Sequence, residues 1–341
     1  MELDEEVLMA FLLMASMLVL ILVAAEIFVN ALEHLGERLK ISEGVTGSLF
    51  AAVGTALPET IVPLIAVFAG TENQNINEEI GVGAILGAPL MLSTLAMGLL
   101  AVATVRDRGL GGVFRPEATG IRRDLNFFLI AFALATLALL IPHHIDVVRV
   151  SISLGLVLVY FIYVLLTLRA SDKLVEDGHG TEAGKPMFLT RIGLPDALPV
   201  IVLQIAIGVI LLVAGAKGFI HGVEGVAASL GVSALLVSLL IVPIATELPE
   251  KVNSVLWIRR RKDTLAFGNL TGAMVFQGSL LPAMGVMLTP WEPRVEVFAG
   301  VIITLVAALW LRYAITGGGL RVWHVAVNGV LYLVFLAITF S

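Results

Sequence analysis

The sequence predicts an all-α transmembrane fold of ten helices, built as two inverted-topology repeats of five helices with both termini outside the cytoplasm. Three observations predict it. The 341 residues are 58% hydrophobic and only 14% charged, with a mean hydropathy of +0.99, a composition of polytopic membrane proteins rather than soluble domains. The apolar residues fall into runs of about 20, enough to cross a hydrocarbon core as helix. Two short strings, TALPE at Thr55–Glu59 and TELPE at Thr246–Glu250, stand 191 residues apart, each inside such a run.

The first run, 7–30, follows the acidic start MELDEEV. A signal peptide needs a basic leading region, so this run reads as a retained helix. The second, 41–70, carries TALPE and Pro63, and the third is 79–104. The fourth and fifth, 125–142 and 147–168, are separated only by the short stretch Pro142–Asp146. A polar, Gly-containing linker over 169–195 joins the first repeat, 1–168, to the second, 196–341. The second repeat holds runs at 196–220, 231–258, 264–289, 293–312 and 320–340. Several exceed the spanning length and are expected to tilt or break.

Charge sets the direction. Arg38, Lys40, Arg106, Arg108, Arg115, Arg122, Arg123, Arg169, Lys173, Lys185, Arg191, the run Arg259–Lys262, Arg312 and Arg321 all fall in alternate loops. They are 17 of the 21 basic residues. The other loops hold Arg149 and Arg294. The positive-inside rule then places the basic loops in the cytoplasm and both termini outside, as in a multi-pass protein of the cell membrane.

The halves match at an offset of 191: Ala25/Ala216, Phe28/Phe219, Glu33/Glu224, Leu39/Leu230, Ser42/Ser233, then Thr55/Thr246, Leu57/Leu248, Pro58/Pro249 and Glu59/Glu250. After the next loop the offset becomes 185, pairing Gly83/Gly268, Gly87/Gly272 and Ala88/Ala273. Five spans per half is an odd number, so the second half enters the membrane from the opposite side. Inverted repeats of this kind place ion sites near the midplane at the repeat interface.

A glutamate inside a membrane helix costs about 2.5–3.5 kcal/mol or more, so two of them at matched positions point to a cation. Proline removes one helical N–H bond and clashes with the carbonyl four residues earlier, which should loosen Gly54 and Ala245; Pro63 and Pro243 add further breaks. Freed carbonyls survive at membrane depth only inside protein or along a wet cavity. A hard cation such as Ca²⁺ takes 6–8 oxygens, which two carboxylates, a few carbonyls and waters would supply. Two carboxylates brought together repel, so a proton competes with the metal. The strings Gly83-xxx-Gly87 and Gly268-xxx-Gly272 would let the third and eighth spans press against the broken second and seventh.

Absences narrow the function. There is no cysteine, which excludes disulfides and thiolate metal sites. No Walker A string, GxGxxG or HExxH occurs, so ATP-driven pumping and zincin-type proteolysis lack support. No catalytic pairing of an enzyme is evident. No cofactor or nucleic-acid partner is implied; the expected partners are the lipid bilayer and transported cations.

The paired strings resemble the alpha-repeats of the cation/Ca²⁺ exchanger superfamily, specifically the sodium/calcium exchanger membrane region. That family carries a GTSLPE-like motif followed by a GNxxGSNxFN/D-like motif. The first half here reads GTALPET and then GAILGAPLML; the second reads ATELPEK and then GNLTGAMVFQ. The resemblance covers the whole chain. It implies that Glu59 and Glu250 are the central Ca²⁺ carboxylates, that Thr55 and Thr246 contribute main-chain oxygens, and that the function is antiport of Ca²⁺ against Na⁺ or H⁺. The chain departs from the family at the sodium sites. The motif serine is Ala56 in one half and Glu247 in the other, the later serine is Ala88 and Ala273, and the closing Asn/Asp is Leu92 and Gln277. The counter-ion is therefore open, and a passive cation channel or uniporter on the same scaffold is the alternative.

Accessory candidates are Ala52, Pro243, Glu247, Lys251 and Gln277. Glu247 and Lys251 are spaced i,i+4 in the favourable order. Lys251 has two readings: a fixed positive charge standing where a sodium would bind, or a lysine snorkelling toward the cytoplasmic end beside Arg259. Asn253 is either a further ligand or polar packing. Asn269 and Gln277, eight residues apart, share a helix face. His143 and His144 read as solvated or metal-binding, and Trp291, Trp323 and Tyr332 as interfacial aromatic residues.

Overall fold

The structure, a computed structural model, describes residues 5–38, 52–142, 144–175, 186–316 and 319–340. Among the described residues the regular structure is helical, apart from an isolated antiparallel bridge between Val113 and Arg321. Among the described residues, seven helical stretches are long and apolar enough to cross a membrane: Glu5–Leu35, Gln74–Arg108, Asp146–Thr167, Leu198–Leu230, Asp263–Leu288, Val295–Ala314 and Val322–Thr339. Leu57–Ala69 and Ala234–Ile244 are shorter apolar helices.

The chain divides into two compact units. The first takes its described residues from Met1–Asn77 and Leu168–Ala234. It holds α1 (Glu5–Arg38), α2 (Ala52–Ala69), the short α7 (Phe188–Arg191) and α8 (Leu198–Leu230). Helix α8 begins with a proline in its first turn and stops at Gly231, whose φ of 65° is the left-handed cap that glycine adopts without strain.

Helices α1 and α8 run antiparallel along a seam of seven-residue period. A Cβ at Gly208 would lie 2.9 Å from the Phe28 side chain, one at Gly215 2.9 Å from Ile21, and one at Gly222 2.8 Å from Met14. Glycine at these positions lets the two backbones touch, the device by which membrane helices associate without a hydrophobic drive between them. One end of the seam is fixed by polar bonds. Gln204 donates to Asn30 Oδ1 and to the Ile27 carbonyl, both at 3.0 Å, and accepts the Leu189 N–H of α7 at 2.9 Å. After α2, Asn77 accepts the Thr71 N–H and donates to the Thr71 carbonyl, each at 2.8 Å, closing the connection to the next helix.

The second unit takes Glu78–Thr167 and Leu235–Ser341. Its helices are α3 (Gln74–Met91, whose first turn belongs to the first unit), α4 (Met97–Arg108), α5 (Ala118–Ala138), α6 (Asp146–Val175), α9 (Ala234–Thr246), α10 (Leu248–Arg259), α11 (Asp263–Gln277), α12 (Leu280–Leu288), α13 (Val295–Ala314) and α14 (Val322–Thr339). Helices α3 and α4 are one rod with a π-turn at Leu92–Ala96. The core packs Phe128, Phe132, Phe267, Leu270, Met274, Trp291 and Phe335.

Two runs expected to be single spans are each a pair of helices. The run 231–258 is interrupted at Glu247, between α9 and α10. The run 264–289 is interrupted at Gly278 and Ser279, between α11 and α12. Pro58 and Pro63 lie inside a continuous α2, and Pro243 inside a continuous α9. Of the prolines expected to disrupt helices, Pro249 is the one beside an interruption, in the first turn of α10. There it is tolerated because first-turn N–H groups have no helical partner.

The first GxxxG string acts as expected against the seventh run. A Cβ at Gly83 would lie 2.6 Å from the Leu235 carbonyl, and one at Gly87 would strike the Leu239 carbonyl and the Pro243 ring. The second string differs: a Cβ at Gly268 would meet no described atom within 4 Å, and Gly272 faces the Tyr163 hydroxyl at 3.7 Å.

Two expected interfacial aromatics are core residues instead. Trp291 is 1% exposed and donates its indole N–H to the Ala135 carbonyl at 3.1 Å; Tyr332 is also buried. Trp291 lies in the connection between α12 and α13 and Tyr332 in the middle of α14, and both rings turn inward. Trp323 stays exposed. Arg149 is no loop charge. It is buried, and its guanidinium donates to the carbonyls of Thr289 at 2.6 Å and Pro290 at 2.9 Å and to that of Val286, capping the end of α12.

Candidate cation site

The interruption at Glu247 organises the site in the second unit. Helix α9 ends at Thr246, whose hydroxyl donates to the Val242 carbonyl at 3.1 Å, four residues back. Glu247 then takes φ −90° and ψ 12°, outside helical geometry, and α10 begins at Leu248. The chain bends there, so Glu247, Glu250 and Lys251 turn inward together at 0%, 5% and 5% exposure.

Lys251 does not snorkel. Its Nζ donates to the Pro243 carbonyl at 2.8 Å, lies 3.5 Å from the Ile244 carbonyl and 3.4 Å from Glu247 Oε2. Gln277, the last residue of α11, is 3% exposed and extends toward the Glu247 carboxylate. No bond of good geometry forms between them. Gln277 Oε1, both Glu247 carboxylate oxygens and Glu250 Oε2 lack a hydrogen-bond donor among the described residues. The cluster thus brings two carboxylates and one ammonium into a buried space. The negative charge in excess there calls for a cation or a proton.

Asn269 supports the cluster from α11. Its amide donates to the Glu250 carbonyl at 3.1 Å and to Ser254 Oγ at 3.0 Å. It therefore holds the backbone of α10 rather than the carboxylate. Asn253 faces outward.

In the first unit, Glu59 lies on α2 and is 4% exposed. Ala52 and Thr55 belong to the first turns of α2, and their side chains lie outside the described residues, as does His143. The structure thus brings together Pro243, Glu247, Glu250, Lys251 and Gln277, with Thr246 at the edge of the break. Among the described residues no group of three or more His, Asp and Glu side chains is gathered for a metal. Two carboxylates with neutral oxygens are the donor set the second unit offers.

Sequence reasoning missed another buried carboxylate. Asp124 on α5 accepts from Thr271 Oγ1 at 2.7 Å and from the Tyr163 hydroxyl at 3.1 Å. It lies just before the expected start of the fourth run, beside Arg122 and Arg123, and so reads as loop charge. The signal that would have found it is Glu117, whose carboxylate caps α5 and so starts the helix ahead of Asp124.

Comparison with known proteins agrees with this architecture. The Inner membrane protein YrbG of Escherichia coli (strain K12) is 24% identical over 275 residues, covering 81% of this chain and 78% of that protein. The crystal structure of the H⁺/Ca²⁺ exchanger CAX superposes with a TM-score of 0.69 at 18% identity, over 97% of this chain and 82% of that one. The sodium-calcium exchanger NCX_Mj superposes with a TM-score of 0.56 at 18% identity, over 97% of both. These likenesses give the exchanger fold. The sequence itself matches the Sodium/calcium exchanger protein family over residues 9–169 and 200–341, and the chain belongs to that family.

Proposed function

We propose that this chain is a secondary antiporter that moves Ca²⁺, or a similar divalent cation, across the cell membrane in exchange for Na⁺ or H⁺. One observation carries the reading: Glu250 is buried beside a helix break, in a cluster whose carboxylates outnumber its ammonium. A family of exchangers gives that excess charge a use. In this reading the ten apolar runs cross the membrane as two inverted halves with both termini outside. The antiparallel seam of α1 and α8, helices from opposite halves, supports the inversion. Glu59 and Glu250 form one shared site near the midplane, Thr55 and Thr246 add main-chain oxygens, and the site opens to each side in turn.

Hard divalent cations suit such a site because carboxylate and carbonyl oxygens replace their water shell. Proteoliposomes loaded with a Na⁺ gradient or a pH gradient, imposed separately, test the proposal. Ca²⁺ uptake should saturate and follow one of the gradients. Glu59→Gln and Glu250→Gln should each abolish it, because each would remove half of one site. Normal transport in either variant refutes the shared site.

A uniporter on the same scaffold has one observation in its favour. Ala56, Ala88, Ala273 and Leu92 stand where the family carries polar residues. That reading requires Ca²⁺ flux indifferent to both gradients. Mn²⁺ and Mg²⁺ belong in the same assay as alternative substrates.

A further inference from the structure

The TELPEK string places an ammonium among buried oxygens, and those oxygens have a recognisable chemistry. Pro243 and Ile244 present carbonyl oxygens 2.8 and 3.5 Å from Lys251 Nζ, and Glu247 presents a carboxylate oxygen at 3.4 Å. Backbone carbonyls near a broken membrane helix, joined by one carboxylate, are the oxygen set that replaces the hydration shell of a small monovalent cation. Gln277 is buried beside the same carboxylate, and its amide oxygen has no donor among the described residues. It is a further neutral oxygen at the edge of the cage.

A lysine placed here only for solubility would send its four-carbon stem along α10 toward Arg259 and water. Lys251 instead folds back one turn into α9 and fills the cage.

We infer that Pro243 O, Ile244 O and Glu247 form a monovalent-cation subsite whose resident cation is the Lys251 ammonium. The consequence for transport rests on the antiport reading: a chain that carries this cation covalently needs one fewer from solution than an open cage would. The subsite itself does not depend on that reading.

The test uses purified full-length protein and measures binding through stability. Thermal unfolding of wild type and Lys251→Ala is compared in NaCl, KCl, NH₄Cl and choline chloride at equal ionic strength. Choline is too large for the cage. Any salt-dependent shift of the wild type, such as a counter-ion bound elsewhere would give, is the baseline against which Lys251→Ala is read. Lys251→Ala should be stabilised by at least one small cation over choline, with a saturable rise of a few degrees, because a ligand that binds only the folded state stabilises it. Adding Glu247→Gln should remove the rise. Equal midpoints for Lys251→Ala in the four salts overturn the inference, since a lysine that merely staples the helix break leaves no cation site behind.

If Lys251→Ala is not recovered folded, Lys251→Gln fills similar space without charge, and the yield of monodisperse protein in each salt is the readout. Recovery in a small-cation salt but not in choline supports the subsite. Failure of both variants in every salt counts against it. No flux is measured, so absence of Ca²⁺ transport would defeat the antiport proposal without touching this result.

Discussion

Arg108 and Asp263, 155 residues apart, form a two-point ion pair: Nη2 to Oδ1 at 2.8 Å and Nη1 to Oδ2 at 3.0 Å. Both side chains are nearly buried, 6% and 9% exposed. Asp263 also accepts the Arg115 N–H at 2.8 Å, and Arg108 donates to the Ile258 carbonyl at 2.7 Å. The pair joins the end of α4 to the ends of α10 and α11, next to the segment that carries Glu250.

Breaking such a pair from one side leaves a buried charge alone, at a cost of about 3–5 kcal/mol, whereas replacing both partners by apolar groups is often close to neutral. Arg108→Ala should therefore lower the unfolding temperature in detergent sharply. Arg108→Met with Asp263→Leu should recover much of the loss. A double-mutant cycle with no coupling between the two positions contradicts this account.

The seam between α1 and α8 predicts a steric effect. A Cβ at Gly215 would sit 2.9 Å from Ile21 Cγ1 and 3.3 Å from the Ile21 backbone nitrogen. Gly215→Val should cost about 1–3 kcal/mol or more, as overpacking does, while Ala214→Val on the exposed side should change little. Ile21→Ala should return part of the stability in the Gly215→Val background. Equal tolerance at 214 and 215 would mean the helices do not touch there.

Much of this architecture is legible in the residues because its causes are local. TELPEK holds the break at Glu247, but TALPET with the matching proline leaves α2 unbroken, so the proline alone does not announce it; the i,i+4 spacing does bring Lys251 back toward Glu247. The run lengths announce the membrane helices. The partners of Arg108, Asp124 and Arg149 are not legible, since they lie from 39 to 155 residues away on other helices and connections and depend on how helices stack. Trp291 misleads for a related reason. An aromatic residue near a helix end is the same sequence signal whether its ring meets headgroups or the core. The glycines at 208, 215 and 222 were readable as a seven-residue repeat, but an apolar run hides a period unless the small residues are scored apart from the large ones.

Glu117 predicts an acid limb of stability. It caps α5 outside the apolar run, with the Thr119 N–H on Oε1 at 2.8 Å and the Gly120 N–H on Oε2 at 2.6 Å. Slight burial pushes its pKa up, but the backbone bonds from Gly120 and Thr119 and the Arg123 charge outweigh it. The net shift is below the ordinary value of 4.5. A carboxylate with a depressed folded-state pKa stabilises the fold above its unfolded value and loses that contribution as pH falls through the folded one. Glu117→Gln should cost about 0.5 kcal/mol at neutral pH, the lower end for caps at an exposed site. The difference from wild type should vanish in acid below the folded pKa. A constant difference across pH would assign the effect to something other than the charge.

Asn269 predicts a change of affinity without loss of turnover. Its amide fixes the Glu250 carbonyl and Ser254 Oγ, so it sets where the first turn of α10 lies and touches no carboxylate oxygen. A net hydrogen bond is worth about 0.5–1.5 kcal/mol, which corresponds to roughly a twofold to tenfold change in an equilibrium constant. On the antiport reading, Asn269→Ala should raise the Ca²⁺ concentration for half-maximal uptake within that range and leave the maximal rate largely intact. Glu250→Gln should abolish uptake outright. Ser254→Ala removes one of the two acceptors and should fall between wild type and Asn269→Ala. A lost maximal rate at unchanged half-saturation would place Asn269 in the conformational cycle instead, where tying α10 to α11 limits how the two helices move.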